Sequence, residues 1–386
     1  MALVAVQSDY QLLTSGRYQS FSQRWIERLP ALGHEAREVD LFLPDPLDQL
    51  AGCDGLMWWF AHRPFPRNFA TRLVAALHHA QRFPTFPNHR TCWHFDDKVA
   101  QHYLLRAAGF PMPRTWVFWR LEDARDFCRS ARFPLVLKLA GGITSENVQL
   151  LRNRDDAGYW TKRLFGSGVT SLDRPSLRRP RGLLGRALTA AESVTGGHRR
   201  RSRRGDVQRG YFLVQEFLEG NDYDTRVAVI GNRAYAYRRF NRPHDFRASG
   251  SGLRDPDPSK VDLEIVRMGF AVARSLGTQS IAIDGIYRGK EKVLTEISYY
   301  YEGWILHEEC PGHWLLHGTP EQGSLEWVGG PLRPEDCILD DFLKGLTDPV
   351  RSQSSSGLRS GQPAGTEGTV PAALRTDSGQ ASTFPE

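Results

Sequence analysis

The chain has 386 residues, of which 40% are apolar and 11% are aromatic, enough to fill the cores of two or three packed domains. No apolar run approaches the roughly 18 residues that span a bilayer, and the first residues lack the pattern of a secretory signal, so we expect a cytoplasmic protein without a membrane span. Five scattered cysteines form no CxxC pair, which argues against a disulfide framework or a zinc site.

The net charge of +6 comes from one segment. Eleven arginines and three acidic residues lie between positions 172 and 210, so this segment carries +8 and the rest of the chain about −2. Flexible arginines can neutralise nucleic-acid phosphates, but the segment lacks the interleaved aromatic residues that stack on bases. We interpret 167–210 as a solvated insertion, suited to help hold an anionic substrate, in preference to a nucleic-acid-binding arm.

The first ninety residues alternate strand and helix patterns. Short apolar runs predict the strands, and apolar residues spaced three and four apart predict the helices between them. This order is typical of a small parallel sheet, and no GxGxxG fingerprint of dinucleotide binding is present. The predicted strands are 3–7, 35–42, 55–60 and 83–86, and the predicted helices are 21–32 and 69–81.

Residues 91–213 carry a second set of elements. A helix is stopped by Gly109 and Pro111, and an apolar strand ending at Lys138 leads into the glycine-rich loop GGITSEN. The predicted helices here are 98–108 and 122–130, and the predicted strands are 115–118, 133–139 and 148–151.

Regular structure resumes after the arginine-rich insertion and continues to about residue 346. Beyond that point the chain is rich in Ser, Gly, Pro and Thr without periodicity, which predicts a disordered tail over 347–386. The predicted elements are strands 211–220, 226–231 and 234–240, a helix over 262–277, and a hairpin of strands 281–287 and 293–298.

This last hairpin puts two carboxylates on one face. If Tyr287 pairs with Val293, Asp284 lies directly opposite Glu296, and Ser298 shares their face. Directly opposed Cβ atoms are about 5 Å apart, so the two carboxylates repel unless a proton, a metal or a basic side chain compensates. Carboxylates on one face suit Mg²⁺, which keeps several waters and bridges to substrate phosphates.

These features are also compatible with ordinary structural roles. The hairpin acids could be solvated or pair with Arg238 or Arg239. Lys138, beside Gly141 and Gly142, could reach phosphates that the backbone N–H groups also contact, but taken alone the glycines favour an ordinary β-turn. A nucleotide also needs an adenine slot and ribose contacts, and the segment VQEFLEGNDYDTRV offers suitable donors and acceptors.

The order of these motifs resembles the ATP-grasp ligases, with the nearest similarity to ribosomal-protein glutamate ligases. Glutathione synthetase and D-alanine:D-alanine ligase are more distant, and the ending CPGHW also resembles uncharacterised bacterial ATP-grasp proteins associated with surface polysaccharides. The resemblance covers about 88–298 and implies an α/β (α+β) ATP-grasp fold over 91–213 and 214–346, preceded by a Rossmann-like pre-ATP-grasp domain at 1–90. The motifs are DDK, GFPMPRT, FPLVLK with GGITSENV, VQEFLEG, DTRV, RRF with HDFRASGSG, IDGI and TEIS.

The resemblance also implies roles for individual residues, with ATP and Mg²⁺ or Mn²⁺ as cofactors. Two positions depart from the family, because Ser298 and Ser249 stand where asparagines are usual. The implied catalytic residue is Arg247, supported by Arg238 or Arg239. The implied ATP-binding residues are Lys98, Lys138, Gly141, Gly142, Ser145, Gln215, Glu216, Phe217, Leu218, Asp224 and Ser249. The implied metal ligands are Asp284, Glu296 and Ser298.

The activity that the resemblance implies is ATP-dependent ligation of a carboxylate to an amine through an acyl phosphate. A phosphotransferase acting on a hydroxyl and a nucleotide-binding protein without turnover are the alternatives. The aromatic segment 299–314 could line an acceptor pocket for an amino acid, a peptide or a saccharide, or it could be a packed cap with His307 and His313 bonded to the backbone. The oligomeric state is open, with a homodimer as one option.

Overall fold

The computed structural model describes residues 1–8, 20–62, 64–142, 145, 147–170 and 206–347. Most of the predicted insertion and the predicted tail beyond Thr347 lie outside this part of the chain. The described strands form three sheets, one parallel and two antiparallel.

The parallel sheet belongs to the N-terminal domain, as the alternating pattern predicts. Its strand order is β2-β1-β3-β4, and a cluster of large aromatic side chains, including Trp25, Trp58 and Trp59, is buried against it. The strands are β1 (Leu3–Gln7), β2 (Glu35–Val39), β3 (Gly55–Met57) and β4 (Thr85–Phe86). The helices are α1 (Ser22–Ala31), α2 (Pro46–Gln49), α3 (Pro64–Ala76), which continues into a π-helical turn (Leu77–Gln81), and α4 (His89–Cys92).

The second sheet is antiparallel, with the order β5-β8-β6-β7. The predicted domain boundary between residues 213 and 214 falls within β8, which pairs with β5 and β6 in this sheet. The strands are β5 (Thr115–Phe118), β6 (Leu135–Lys138), β7 (Val148–Leu151) and β8 (Phe212–Glu216). The helices are α5 (Lys98–Ala107), α6 (Leu121–Ser130) and α7 (Arg154–Phe165).

The third sheet has seven strands in the order β13-β12-β9-β10-β14-β15, with β11 beside β10. Its strands are β9 (Tyr223–Ile230), β10 (Arg233–Phe240), β11 (Arg254–Asp255), β12 (Ser280–Arg288), β13 (Glu291–Ser298), β14 (Gly312–His317) and β15 (Ser324–Gly329). The helical elements are a 3₁₀ turn (Pro258–Lys260), α8 (Leu263–Leu276), a π-helical turn (Ile305–Glu309) and α9 (Pro334–Thr347). The sequence patterns did not reveal β14, β15 and α9.

Both faces of this sheet are covered, because alternate residues of β9 enter different cores. Val227 and Val229 pack with α8, whereas Ala228 and Ile230 join the core that contains the N-terminal aromatic residues and α9. The N-terminal domain and the C-terminal helix therefore share one apolar core. Among the described helices, none is long and apolar enough to cross a membrane, and all five cysteines are buried free thiols.

Candidate functional site

Two buried lysines meet the β12–β13 hairpin between the two antiparallel sheets. Lys98 opens α5, where Asp97 caps the helix, and its Nζ lies 3.3 Å from Glu296 Oε1 and 2.9 Å from the Gly142 carbonyl oxygen. Lys138 is the last residue of β6, and its Nζ donates to the Thr295 carbonyl at 3.2 Å. The structure thus brings together three residues that the resemblance selected from distant parts of the chain.

Their surroundings set the protonation of these lysines differently. Burial alone would lower the pKa of Lys98, but the nearby Glu296 and Asp96 raise it above the ordinary value. Burial lowers the pKa of Lys138 to about 8, because the attraction of Glu296 offsets only part of the desolvation and Lys98 repels it. Lys98 therefore stays charged at neutral pH, whereas Lys138 loses its proton at a pH only slightly above neutral.

Two cavities adjoin this contact and share Lys98 and Glu296. The larger has a volume of about 190 Å³ and opens toward the loop over 248–252, and the smaller has a volume of about 20 Å³. The larger is lined, among others, by Phe95, Gly142, Ser145, Arg226, Tyr237, Arg239, Ser249, Arg254, Ser298, Tyr300 and Tyr301. The smaller is lined, among others, by His102, Met112, Thr115, Lys138, Leu213 and Gln215.

A broader surface depression of about 440 Å³ lies at the turn end of the hairpin, away from Glu296, beside Glu264 and Lys292. These two side chains already form an ion pair with each other. We call the two cavities at Lys98 and Glu296 the cleft. The lysine pair and the glycine-rich loop make this cleft the stronger candidate for a nucleotide site.

The predicted opposition of Asp284 and Glu296 is confirmed, but the register on the turn side was wrong. Tyr287 pairs with Lys292 and not with Val293, because a β-bulge between Asp284 and Gly285 shifts the ladder by one residue. Beyond the bulge, the two acids are partners as expected. The hairpin therefore presents both carboxylates on one face, so their mutual repulsion must be offset by positive charge nearby.

The charge of Asp284 is compensated by arginines. Arg226 on β9 donates to both carboxylate oxygens at 2.8 and 2.9 Å, and Arg239 on β10 lies 2.7 Å from Oδ2. Arg239 also donates to both oxygens of Asp224, at 2.7 and 2.6 Å. We call Asp224, Arg226, Arg239 and Asp284 the ionic cluster; it contains Arg239, which was expected among the catalytic residues, and Asp224, which was expected beside the nucleotide.

The two aspartates of the ionic cluster are affected in opposite directions. Burial opposes ionisation of Asp284, but Arg226 and Arg239 together lower its pKa below the ordinary value. Burial raises the pKa of Asp224, because Arg239 offsets only part of the desolvation and the charge of Asp284 repels it. Asp284 is thus the securely ionised member, held between two guanidinium groups.

The expected magnesium ligands fit a metal only in part. Both Asp284 oxygens accept hydrogen bonds from arginines, and the Ser298 hydroxyl donates to the Tyr300 carbonyl at 2.9 Å while accepting from its N–H. Glu296 is different, because its side chain is 32% exposed and borders both cavities. Glu296 together with nucleotide phosphates suits Mg²⁺, which needs only one or two protein carboxylates; Asp284 as arranged does not fit as a ligand.

The glycine-rich loop is held by three side chains. Asp96 Oδ1 accepts from the Gly142 N–H at 2.7 Å, Asn147 donates to the Gly141 carbonyl at 2.7 Å, and Lys98 donates to the Gly142 carbonyl. Gly142 has φ of 132°, and a Cβ there would lie 2.5 Å from the Asn147 amide nitrogen, so the position requires glycine.

Asp96 connects this loop to the N-terminal domain. Its other oxygen accepts from Arg67 of α3 at 2.5 Å, and its backbone has φ of 52°, an uncommon value for a residue with a side chain. Sequence reasoning missed Asp96, Arg67 and Arg226 as members of the site. Arg226 could have been found from the sequence, because Asp224 and Arg226 are charged residues two positions apart in an otherwise apolar strand.

The other expected catalytic arginines lie at the edges of the cleft or away from it. Arg247 donates to Asp245, to the Ser145 carbonyl at 3.2 Å and to the Val148 carbonyl at 3.3 Å, so it ties its loop to the glycine-rich loop. Arg238 faces the opposite side of β10, pairs with Asp255 and lies over the rings of Tyr223 and Phe240. The structure therefore separates Arg238 from the ionic cluster.

The expected adenine segment is only partly turned toward the cleft. Gln215 borders the smaller cavity and donates to Thr115, whereas the Glu216 carboxylate faces away and pairs with Arg114 and Arg288. Phe217 contacts the ring of Phe246, the Leu218 carbonyl accepts from Asn221, and Ser249 lines the larger cavity while its carbonyl accepts from Arg242.

The aromatic segment 299–314 is largely packed and also borders the larger cavity. Tyr299 and Tyr301 are buried against the N-terminal aromatic residues, whereas Tyr300 and Tyr301 also border the larger cavity. His307 bonds to the Gly303 carbonyl as expected, but His313 Nδ1 has no hydrogen-bond partner among the described residues. The segment is therefore a packed cap whose inner rings form one wall of the cavity.

Comparison with models of known protein families gives no match. Among solved structures, the chain is similar to a RimK domain protein ATP-grasp from Sphaerobacter thermophilus, at 18% identity and a TM-score of 0.45 over 77% of this chain and 90% of that one. It is similar to D-alanine–D-alanine ligase from Bacillus anthracis, at 11% identity and 0.46 over 78% and 86%. It is also similar to N5-carboxyaminoimidazole ribonucleotide synthetase from Thermotoga maritima, at 14% and 0.48 over 78% and 70%. A solved protein described as ATP-grasp, a ligase and a synthetase are thus each similar to this chain over more than three quarters of its length.

Proposed function

We propose that this chain is an ATP-dependent ligase that joins a carboxylate to an amine. The observation that carries this proposal is the contact of Lys98, Lys138 and the hairpin residue Glu296 at the junction of two cavities. Two buried cations beside a glycine-rich loop and an exposed carboxylate are suited to a nucleotide triphosphate with its metal.

The two cavities give a direction for the nucleotide. The smaller one, with Gln215 and Leu213, would have to widen from its volume of about 20 Å³ to receive the adenine, and the larger one would receive the phosphates and the second substrate. Lys98 and Lys138 lie on this path and would neutralise phosphate oxygens. Mg²⁺ bound through Glu296 would supply further charge neutralisation when present.

The proposed reaction needs positioning and charge stabilisation but no protein nucleophile. A substrate carboxylate attacks the γ-phosphorus of ATP, the bond to the ADP oxygen breaks, and the resulting acyl phosphate is attacked by an amine, which loses a proton as phosphate leaves. The lysines stabilise the charge on the transferred group, and the aromatic wall at Tyr300 and Tyr301 limits water at the acyl phosphate. The reaction would take place in the cytoplasm, where ATP is available.

The lining of the larger cavity supports a small polar substrate. Arg254 borders it and is held by Glu309 through two hydrogen bonds of 2.7 Å, and Tyr237 and Phe95 add aromatic faces. Aromatic faces with polar groups suit an amino acid, a short peptide or a saccharide carboxylate.

An assay of ADP release tests the proposal. Purified protein with ATP and Mg²⁺ would be given amino acids, amino sugars and uronic acids, singly and in pairs. We expect ADP only when a carboxylate and an amine are both present, together with an amide product. A phosphorylated hydroxyl would instead identify a phosphotransferase, and tight ATP binding without turnover across the panel would identify a nucleotide-binding protein.

ATP affinity should depend on pH through Lys138. Because its pKa is about 8 and phosphates favour the protonated form, the affinity should fall as pH rises through this value. Between pH 7 and pH 9 we expect about a tenfold loss, measured by calorimetry at constant ionic strength.

Lys138→Arg is the matched control, since arginine stays charged over this range. Its ATP affinity should change little between the same two pH values, whatever its absolute level. An equal tenfold loss in Lys138→Arg would place the titration on another group.

A further inference from the structure

Three histidines form a compact group on the N-terminal domain, away from the cleft. In the described part of the chain, one ligand atom each from His78, His79 and His89 lies within 4.8 Å of the other two. The rings are in mutual contact, with centroids 4.9 Å apart for His78 and His79, 5.2 Å for His79 and His89, and 5.6 Å for His78 and His89.

The fold produces this arrangement from two separate segments. His78 and His79 lie in the π-helical turn that ends α3, and Arg82 then takes a left-handed conformation with φ of 51° as the chain reverses. After β4, the chain returns and α4 begins at His89, capped by the Asn88 side chain. Consecutive residues of a regular helix point in different directions, so the third ring from α4 is what closes the group.

The ring nitrogens are available to a ligand. His78 and His79 are exposed and His89 is half-buried, and within the described residues no hydrogen bond engages their rings. A tetrahedral Zn²⁺ with bonds of 2.0–2.1 Å needs nitrogen atoms about 3.4 Å apart. The ligand atoms of the three histidines already lie within 4.8 Å of one another, so small side-chain rotations bring them to this spacing.

The donor set selects the class of metal. It consists of imidazoles without a carboxylate, which disfavours hard cations such as Mg²⁺ and Ca²⁺, because these prefer oxygen ligands. Imidazole groups suit Zn²⁺ and its neighbours in the first transition series. We propose that His78, His79 and His89 bind one Zn²⁺-type divalent metal ion, with solvent completing the coordination.

Such an ion would have a structural effect that reaches beyond the histidines. It would tie the end of α3 to α4, and α4 is already joined to the seven-stranded sheet. The Asn88 N–H donates to the Gln279 side chain at 2.7 Å, and the Gln279 N–H donates to the Thr91 hydroxyl at 2.9 Å. The proposal therefore includes a more stable junction between the N-terminal domain and the third sheet when the metal is bound.

Calorimetry with Zn²⁺ on the full chain, without an affinity tag and in excess Mg²⁺, tests the site. We expect one Zn²⁺ per chain with a dissociation constant in the micromolar range, a higher melting temperature, and visible absorption when Co²⁺ replaces Zn²⁺. His78→Ala and His89→Ala should each weaken binding at least tenfold. His317→Ala removes an exposed histidine of β14 that pairs with Glu326 of β15, and it should leave the Zn²⁺ affinity unchanged.

Two results would overturn the proposal. One is a wild-type affinity in the millimolar range; the other is micromolar binding that survives the loss of both His78 and His89. Circular dichroism without metal checks that each variant is folded. If His89→Ala melts early, His89→Gln keeps a polar side chain of similar size and gives the same comparison.

Discussion

Replacing Glu296 with glutamine should reduce ATP turnover by at least a hundredfold while leaving the protein folded. Glu296 is the carboxylate of the hairpin that faces both cavities, and it lies 3.3 Å from the buried Lys98. Glutamine keeps the shape but removes the negative charge that would bind the phosphate-bound metal and orient Lys98. The measurement is the rate of ADP release at saturating ATP with the substrate pair identified by the panel.

Glu291→Gln is the matched control, because Glu291 opens the same strand but is exposed at the turn and pairs with Arg288. Its turnover should be within about twofold of wild type, since the loss of an exposed ion pair costs little. Near-normal turnover in Glu296→Gln would remove this residue from the site, whatever the result for Glu291→Gln.

Replacing Asp284 with asparagine should lower the free energy of unfolding by about 3–5 kcal/mol, because it leaves two buried guanidinium groups with only Asp224 as a counter-ion. The asparagine NH₂ would also face guanidinium donors, so one contact becomes repulsive. The measurement is urea-induced unfolding without nucleotide, followed by fluorescence and circular dichroism.

Asp255→Asn is the comparison for this variant. Asp255 also pairs with an arginine of β10, Arg238, but this pair is half-buried and more exposed than Arg239 and Asp284, so we expect a smaller loss, of about 1 kcal/mol. A stability of Asp284→Asn within about 1 kcal/mol of wild type, together with lost Mn²⁺ binding in the presence of ATP, would instead make Asp284 a metal ligand.

The hairpin shows how far the sequence could predict this site. Side-chain alternation, together with an assumed pairing of Tyr287 with Val293, placed Asp284 and Glu296 on one polar face; their opposition is confirmed although that pairing is wrong. The bulge, at which Thr295 of β13 is the extra residue opposite Asp284 and Gly285, could not be predicted from the pattern, because one extra residue leaves the alternation on each side of it intact. The prediction succeeded at the acids since they lie on the far side of the bulge from the turn.

The charge partners of these acids were beyond the sequence pattern. Arg226 and Arg239 reach Asp284 because β9 lies between β12 and β10 in the sheet, and strand order is a property of the whole fold. For the same reason Arg238 could not be told from Arg239 until the face of β10 was known. Glu216 was expected beside the nucleotide, but it ends a strand and turns outward to Arg114 and Arg288.

The contact between Asp96 and Gly142 would compete with any phosphate that binds at the glycine-rich loop. The Gly142 N–H already donates to a carboxylate, so an incoming phosphate can accept from it only after Asp96 withdraws toward Arg67. The observed affinity for any such anion equals its intrinsic affinity multiplied by the fraction of molecules in which this N–H is free. Because Arg67 belongs to α3, the N-terminal domain would influence that fraction. A substitution in α3 that holds Asp96 away from Gly142 would then strengthen phosphate binding without adding a contact to the phosphate.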